Sequence, residues 1–347
     1  MQLAYLVRST ANPAEFAASA NELADLESAG LGMALVPEFY GVDAVSRLGY
    51  LAAKTSSVQL ASGILAIYSR TPGLTAMTAA GLDLVSDGRF VLGLGASGPM
   101  VIEGFHGVPF DAPLGRTREI VEICRSVWRK EKVQHAGKHY TVPLSGGPRT
   151  FADTPVRERI PVMLASIGEK NIALAAEIAE YWLPIHFDAG RAHRAFGSAL
   201  SAGLAKRDPT LGPLQVVAEV GVCVSDDPDA IAAAEKEARA KLALYVGGMG
   251  PRDNNFYNEL AIRYGYEAQA KEIQDAFLGG DKKGAAAAVP DEFVEGVTAV
   301  GPAGKVKERM SAFAEAGITT MVVSPMGRPL EPGGLTKLIE QLAAIAS

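Results

Sequence analysis

Short apolar runs alternate with longer stretches in which apolar residues return every three or four positions. Leu3–Val7 (LAYLV), Gly32–Val36 (GMALV), Val58–Leu65 (VQLASGIL) and Phe90–Leu94 (FVLGL) are the first compact runs. Their length and aliphatic content predict buried strands. Between them, Pro13–Ser28, Asp43–Lys54 and Pro72–Val85 carry helical periodicity, with Gly30 placed to stop the first and Asp43 to cap the second. The rhythm runs on through helix Leu114–Arg129, strand Pro161–Ser166, helix Lys170–Glu180, strand Trp182–Phe187 and helix Arg191–Lys206. Strand Leu214–Val224, helix Pro228–Leu244, helix Gly304–Ala316, strand Thr320–Ser324 and a terminal helix from about Gly334 complete it.

Such close alternation implies parallel strands joined by right-handed crossovers. The count of eight strands is that of a (β/α)8 TIM barrel, an α/β fold. A doubly wound sheet would place a Gly-rich phosphate turn after its first strand, where this chain reads RSTANPAEF. Two stretches break the rhythm and read as insertions: 131–160, with prolines and a predicted hairpin, and 246–300, with the breaks GGMGPRDN and LGGDKKG. The expectation is one TIM-barrel domain over 1–347.

Composition narrows the function. Hydrophobic residues make up 48% and charged residues 21%, which excludes a disordered chain. With 33 basic and 39 acidic residues the net charge is −6, and no Lys/Arg cluster overrides it, so no nucleic-acid partner is expected. No apolar stretch suits a membrane span, and MQLAYLVRST is not a secretory signal, so the chain reads as cytoplasmic, without a membrane partner. Cys124 and Cys223 read as reduced thiols.

A barrel builds its site at the C-terminal ends of its strands. There GLGASGP (93–99) offers backbone that can approach a ligand closely, or a plain tight turn. In ASIGEKN (165–171), Gly168 turns into a helix start that suits an anion, or is an ordinary turn with a solvated lysine. Glu38 follows an apolar strand and must reach solvent or a hydrogen-bonding ligand, and His186 ends another strand, as a proton donor or as a packed side chain. The five histidines give no metal pattern; HAGKH (135–139) lies in a turn-rich segment without an acidic companion, so His135 and His139 read as surface residues. No P-loop is present, and GASG (95–98) fits a serine nucleophile elbow only in part, as G-x-S-G without the strand-to-helix turn, which leaves a hydrolase as a minor alternative.

Together, SVQLASGILAIYSRTPGLTAMTAAGLDLVSDGRFVLGLGASGP (57–99), PEFYGVDAVSRLGYLAAKTS (37–56), EGFHGVPFDAPLGRTREIVEI (103–123), PVMLASIGEKNIALAAEIAEYWLPIHF (161–187) and GPAGKVKERMSAFAEAGITTMVVSP (301–325) resemble the bacterial luciferase-like superfamily, in its coenzyme F420-dependent oxidoreductase branch. The S-D-G-R-F-x-L-G-x-G signature at 86–95 is its most specific element. The resemblance implies a TIM barrel, usually a homodimer, that binds a deazaflavin at its mouth and transfers hydride to or from a small-molecule substrate. It implies a bulge with a non-prolyl cis peptide at Ser62, Gly63 and Ile64 behind the ring, and ring or tail contacts from Gly95, Ala96, Ser97 and Gly98. It places phosphate at Ile167, Gly168 and Lys170, and gives Glu38 a hydrogen bond to the ring. Three departures, Phe39, Ala96 and Asp188, stand where sugar-phosphate dehydrogenases of the branch carry histidine, glutamate and lysine, and leave Tyr40 and His186 as the proton handlers by position. The alternatives are an FMN-dependent monooxygenase and a non-catalytic F420 carrier; a basic groove near Lys170 and Arg328 would favour the acidic F420 tail.

Overall fold

The computed structural model describes residues 1–346. Its strands are β1 (Gln2–Leu6), β2 (Met33–Val36), β3 (Gln59–Ser62), β4 (Leu65–Ala66), β5 (Phe90–Gly95), β6 (His135–Ala136), β7 (Thr141–Val142), β8 (Val162–Ala165), β9 (Tyr181–Leu183), β10 (Gln215–Val224), β11 (Thr298–Gly301) and β12 (Thr320–Pro325). The helices are α1 (Pro13–Ser28), α2 (Ala44–Ala52), α3 (Pro72–Val85), α4 (Pro99–Ile102), α5 (Pro113–Trp128), α6 (Glu169–Ile178) and α7 (Ala192–Leu204). They continue as α8 (Pro228–Gly248), α9 (Phe256–Tyr264), α10 (Glu267–Leu278), α11 (Lys282–Ala287), α12 (Asp291–Val297), α13 (Ala303–Glu315) and α14 (Gly334–Ala346).

Strands β1, β2, β3, β5, β8, β9, β10 and β12 pair in parallel in that order, and β12 returns to β1, closing the eight-stranded barrel. Side chains alternate across each strand. One face sends Leu3, Tyr5, Leu60, Leu92 and Leu164 into the large core shared with the helices. The other gathers Ala4, Met33, Leu35, Ala61, Val91, Met163, Val217 and Val322 into a plug that fills the lumen.

Strand three departs from the expected continuous run. It splits into β3 and β4 around a cis peptide between Gly63 and Ile64, the place where the family resemblance expects one. The strand expected at Trp182–Phe187 ends at Leu183, and β9 meets β10 only at Gln215 and Val216. Above that point β10 turns its edge to a ninth strand, β11, by way of Gly221–Val224. The barrel is therefore open along one seam toward its mouth.

Both insertions have structure. In 131–160, β6 and β7 form the expected hairpin. Its histidines are not free surface residues: Glu119 of α5 lies 3.3 Å from His135 Nε2 and accepts the N–H groups of Lys138, His139 and Tyr140. The acidic companion was hidden because it lies 16 residues upstream. In 246–300 four helices, α9–α12, pack beside α8 and return the chain to β11. Among the described residues, no helix is long and apolar enough to cross a membrane.

Candidate active site

The layer above the lumen plug is graded in size. On the β3–β5–β8 side the inward positions are Gly63, Gly93, Gly95 and Ala165, the next in alternation after Ala61, Val91 and Met163. Side chains there have no room. A Cβ on Gly93 would lie 1.7 Å from the Ser62 carbonyl oxygen, and one on Gly95 would lie 2.3 Å from Ile64 Cδ1. The result is a flat shelf of backbone, the surface a planar ring needs. Residues 62–64 and 93–95 thus meet across β3 and β5. The hydroxyl of Ser62, fully buried, is spent on β5: it donates to Gly93 O (2.9 Å) and accepts from Gly93 N (2.8 Å). Beyond the shelf, Ala96 is half-buried, Ser97 is exposed with φ of +58°, and Gly98 leads into the single turn of α4.

Glu38 stands at the shelf's β2 edge with both oxygens occupied. Arg70 grips it in bidentate fashion at 2.6 and 2.9 Å, and the Ala44 N–H adds a 3.0 Å bond. Burial pushes this carboxyl up, but Arg70 and the Ala44 amide outweigh it and hold the group below its ordinary value. Glu38 is therefore a fixed carboxylate that orients Arg70 and starts α2, and it carries no proton to give at neutral pH. Tyr40 lies nearby, about half exposed, between Phe39 (ring centroids 4.2 Å) and Phe105 (5.5 Å).

The β8 end is polar and incomplete. Ser166 Oγ is out of solvent and has no hydrogen-bond partner. Two residues later Gly168 caps α6 with no side-chain bond to offer, so the helix's first N–H groups point outward unpaired. Arg263, on α9, donates to Ile167 O and brings a guanidinium to this turn. Lys170 is exposed beside it. The expected cation Arg328 is turned away and pairs with Asp227 at 3.2 Å. Asp188 is fully buried, receives the Tyr266 hydroxyl and the Gly190 N–H, and has its carboxyl pushed up by burial, so it anchors the second insertion rather than gripping a ligand.

His186 occupies the open seam. Its backbone is left-handed, φ +48°, a conformation that costs a non-glycine residue about 1–2 kcal/mol. The Tyr264 hydroxyl holds its carbonyl at 2.9 Å, and the ring packs edge-on to Tyr245 at 4.6 Å. Nε2 is buried without a partner. Burial, seconded by the charge of Lys241, lowers its pKa to about 4, so the imidazole is neutral at pH 7. Beside it Glu219 and Lys241 form a 2.6 Å ion pair.

Several expected residues converge on the mouth: the Ser62–Ile64 bulge, Gly95, Glu38 and the Ile167–Lys170 turn. Arg70, Arg263 and Lys241 were not anticipated. They come from a loop and two helices, and no motif marks a cation whose partner is 22 to 96 residues distant. Ser166 does lie in the ASIGEKN run. Among the described residues no group of His, Cys, Asp or Glu could hold a metal, and both cysteines are free.

Known proteins share this architecture. A protein of Mycobacterium tuberculosis provisionally named a coenzyme F420-dependent oxidoreductase is 37% identical over 96% of this chain and 94% of its own. The 5,10-methylenetetrahydromethanopterin reductase of Archaeoglobus fulgidus is 30% identical over 81% of each chain. The structure of a coenzyme F420-dependent tetrahydromethanopterin reductase from Methanopyrus kandleri superposes with a TM-score of 0.79 at 22% identity, covering 98% of this chain and 96% of that one. The profile of the luciferase-like monooxygenases matches residues 4–320. The chain is an oxidoreductase of the luciferase-like monooxygenase family.

Proposed function

We propose that this oxidoreductase uses coenzyme F420 at the mouth of its barrel and exchanges a hydride with a small organic molecule. The observation that carries the reading is the unfinished polar site at β8: the orphaned Ser166 hydroxyl, the uncapped start of α6 and the Arg263 guanidinium. The Ser166 hydroxyl and the first α6 amides lack acceptors in the chain, Arg263 adds a positive charge held in place by its bonds to the Ile167 and Ala195 carbonyls, and together, beside a floor of glycines, they fit a phosphodiester attached to a flat ring. When bound, the deazaflavin supplies the two-electron chemistry. The protein's part is to seat the ring on Gly63, Gly93 and Gly95, hold the phosphate through Ser166 and the α6 amides, and fix Arg70 at the ring edge through Glu38. Ala96, Ser97 and Gly98 flank the ring, and Tyr40 with Phe39 and Phe105 shields it from water.

A flavin mononucleotide would use the same floor and phosphate cradle, which makes an FMN-dependent monooxygenase the second reading. The experiment is a fluorescence titration of purified protein with oxidised F420 and, separately, with FMN. F420 binding at least tenfold tighter supports the proposal; FMN preference replaces it with the second reading. Tight binding of both redox states of F420 with no turnover of any acceptor indicates a carrier.

Gly63→Val tests the shelf. Its Cβ would sit 3.0 Å from Leu35 Cβ, a contact that β2 and β3 relieve by parting a few tenths of an ångström, while the added side chain takes up space at the glycine floor. F420 affinity should fall more than a hundredfold with the circular dichroism spectrum unchanged; retained affinity removes the ring from this strand.

The assembly is proposed to be a homodimer of single-domain chains. Leu74, Met77, Leu84 and Val85 leave an exposed apolar stripe along α3, and Gly73 and Gly81 keep the helix surface open to close approach. Met77→Glu should convert a dimer to a monomer in sedimentation velocity. A wild-type chain that sediments as a monomer refutes this.

A further inference from the structure

We propose that His186, Glu219 and Lys241 form a water-bridged proton relay on the substrate side of the mouth; this rests on the hydride-transfer reading above. The strand order places it. Around the closed ring, β3 with its Gly63 shelf is followed by β5, β8 and β9, so β10 is the strand diametrically opposite. A ring held on β3 would leave β10 as the facing wall of the mouth, and a hydride acceptor would lie between them.

The inward positions of β10 follow from Val217 in the lumen plug: the next is Glu219. Its carboxylate receives the Ser324 hydroxyl from β12 and the Lys241 ammonium at 2.6 Å. Lys241 belongs to α8, outside the barrel. It reaches the mouth because β9 and β10 part company above Val216 and leave the seam open. His186 closes the other side of that seam, 8% exposed, with Nε2 unpartnered.

Between the three groups lies a cavity of about 20 Å3, room for one water molecule. A water there donates to Nε2 of the neutral imidazole and accepts from the ammonium, which satisfies the orphaned nitrogen. Glu219 and Lys241 are each a little over a quarter exposed, so the relay also touches bulk solvent.

An acceptor that has gained a hydride at carbon carries one extra electron pair on its oxygen or nitrogen and needs one proton. The water gives that proton and is reprotonated by the Lys241 ammonium, and the resulting amine recovers a proton from solvent at its exposed side. Glu219 stays a carboxylate throughout and favours the return of Lys241 to its ammonium form. His186 is a positioning residue that fixes the water's orientation. The acceptor class is a carbonyl or imine, whose heteroatom needs one hydrogen-bond donor and no metal.

The test uses the full chain with 15N-labelled histidine, in wild-type and Lys241→Met forms, with two readouts. The first is the His186 Nε2 resonance, which reports an accepted hydrogen bond without any turnover. The second is affinity for oxidised F420 by fluorescence. The expected result is an unprotonated, hydrogen-bonded Nε2 in the wild type that moves downfield in Lys241→Met, with F420 affinity within twofold. An unmoved resonance overturns the relay. A parallel loss of F420 affinity assigns the cluster to the coenzyme and overturns its substrate-side role. If the wild type does not bind F420, the hydride-transfer reading fails with the relay's function, while the resonance still decides whether the bridging water exists. Glu219→Gln, which keeps the shape of the pair, repeats the test should Lys241→Met fold poorly.

Discussion

The two ends of this barrel treat buried polar groups in opposite ways. At the N-terminal end almost every one is spent on another. Arg89 donates five hydrogen bonds, to the carbonyls of Ala52, Thr55, Val58 and Ser86 and to the Thr55 hydroxyl, and so closes the end of α2 onto the starts of β3 and β5. Glu27 accepts the N–H groups of Ser56, Ser57 and Val58. Among the described residues, Ser166 Oγ, His186 Nε2 and Arg47 Nε are buried without partners at the C-terminal end, against Arg125 Nε at the other. A fold spends its polar groups on itself where it needs stability and leaves them open where a ligand will complete them. The signature that most strongly carries the family resemblance, SDGRF, belongs to the closed end.

The largest expected effect lies there. Arg89→Ala leaves four carbonyls near the C-terminus of α2 and its neighbouring turns without their donor, and removes the cation facing that helix end. Urea denaturation should show a loss of about 4 kcal/mol. F420 affinity of the folded fraction should not change. If binding falls while stability holds, the division between the two ends is wrong.

Acid should separate the ends next. In the unfolded chain His186 titrates near 6.5 and in the folded protein near 4. The unfolded state therefore binds the extra proton first, and stability drops as pH falls from 6.5 toward 4, by roughly 3 kcal/mol in full. Asp188, its carboxyl pushed up by burial, acts in the opposite sense, so the wild type is compared with His186→Phe, which abolishes the His186 contribution and leaves that of Asp188 in place. Glu27, held at about 2 by its amide bonds despite the opposing effect of burial, keeps its stabilisation until pH falls below 4.5. Hydrogen exchange, corrected for intrinsic rates, should lose protection around 184–188 between pH 6 and 5, while 56–58 stays protected. Simultaneous loss at both places contradicts the comparison.

The same contrast explains what the sequence makes legible. Eight strands, their helices and the β6–β7 hairpin follow from apolar period and turn residues, because each is decided within about ten residues. The shelf is also readable, since Gly93 and Gly95 mark positions where a side chain cannot go. What period cannot show is the seam. Trp182–Phe187 is apolar enough to be a strand throughout, yet pairing stops at Leu183 because β11, more than 110 residues later, takes the edge of β10. Only tertiary structure brings Lys241 through that gap, or puts Arg70 on Glu38 and turns a carboxylate expected to bond the ring directly into one already bound to a cation of the chain.

The smallest effect on stability is the most informative about the open end. Ser166→Ala removes a buried hydroxyl that has no partner in the chain, and the hole it leaves is one oxygen atom in size. Deleting an unpaired polar group relieves a desolvation cost, so the variant should be as stable as the wild type or up to about 1 kcal/mol more stable. Its affinity for F420 should fall about tenfold, the worth of one hydrogen bond to a charged oxygen. Thermal denaturation and fluorescence titration of the same preparation read the two changes, which must have opposite signs. A variant that loses stability has lost a partner for Ser166 within the protein, and the phosphate would then rest on the α6 amides and Arg263 without it.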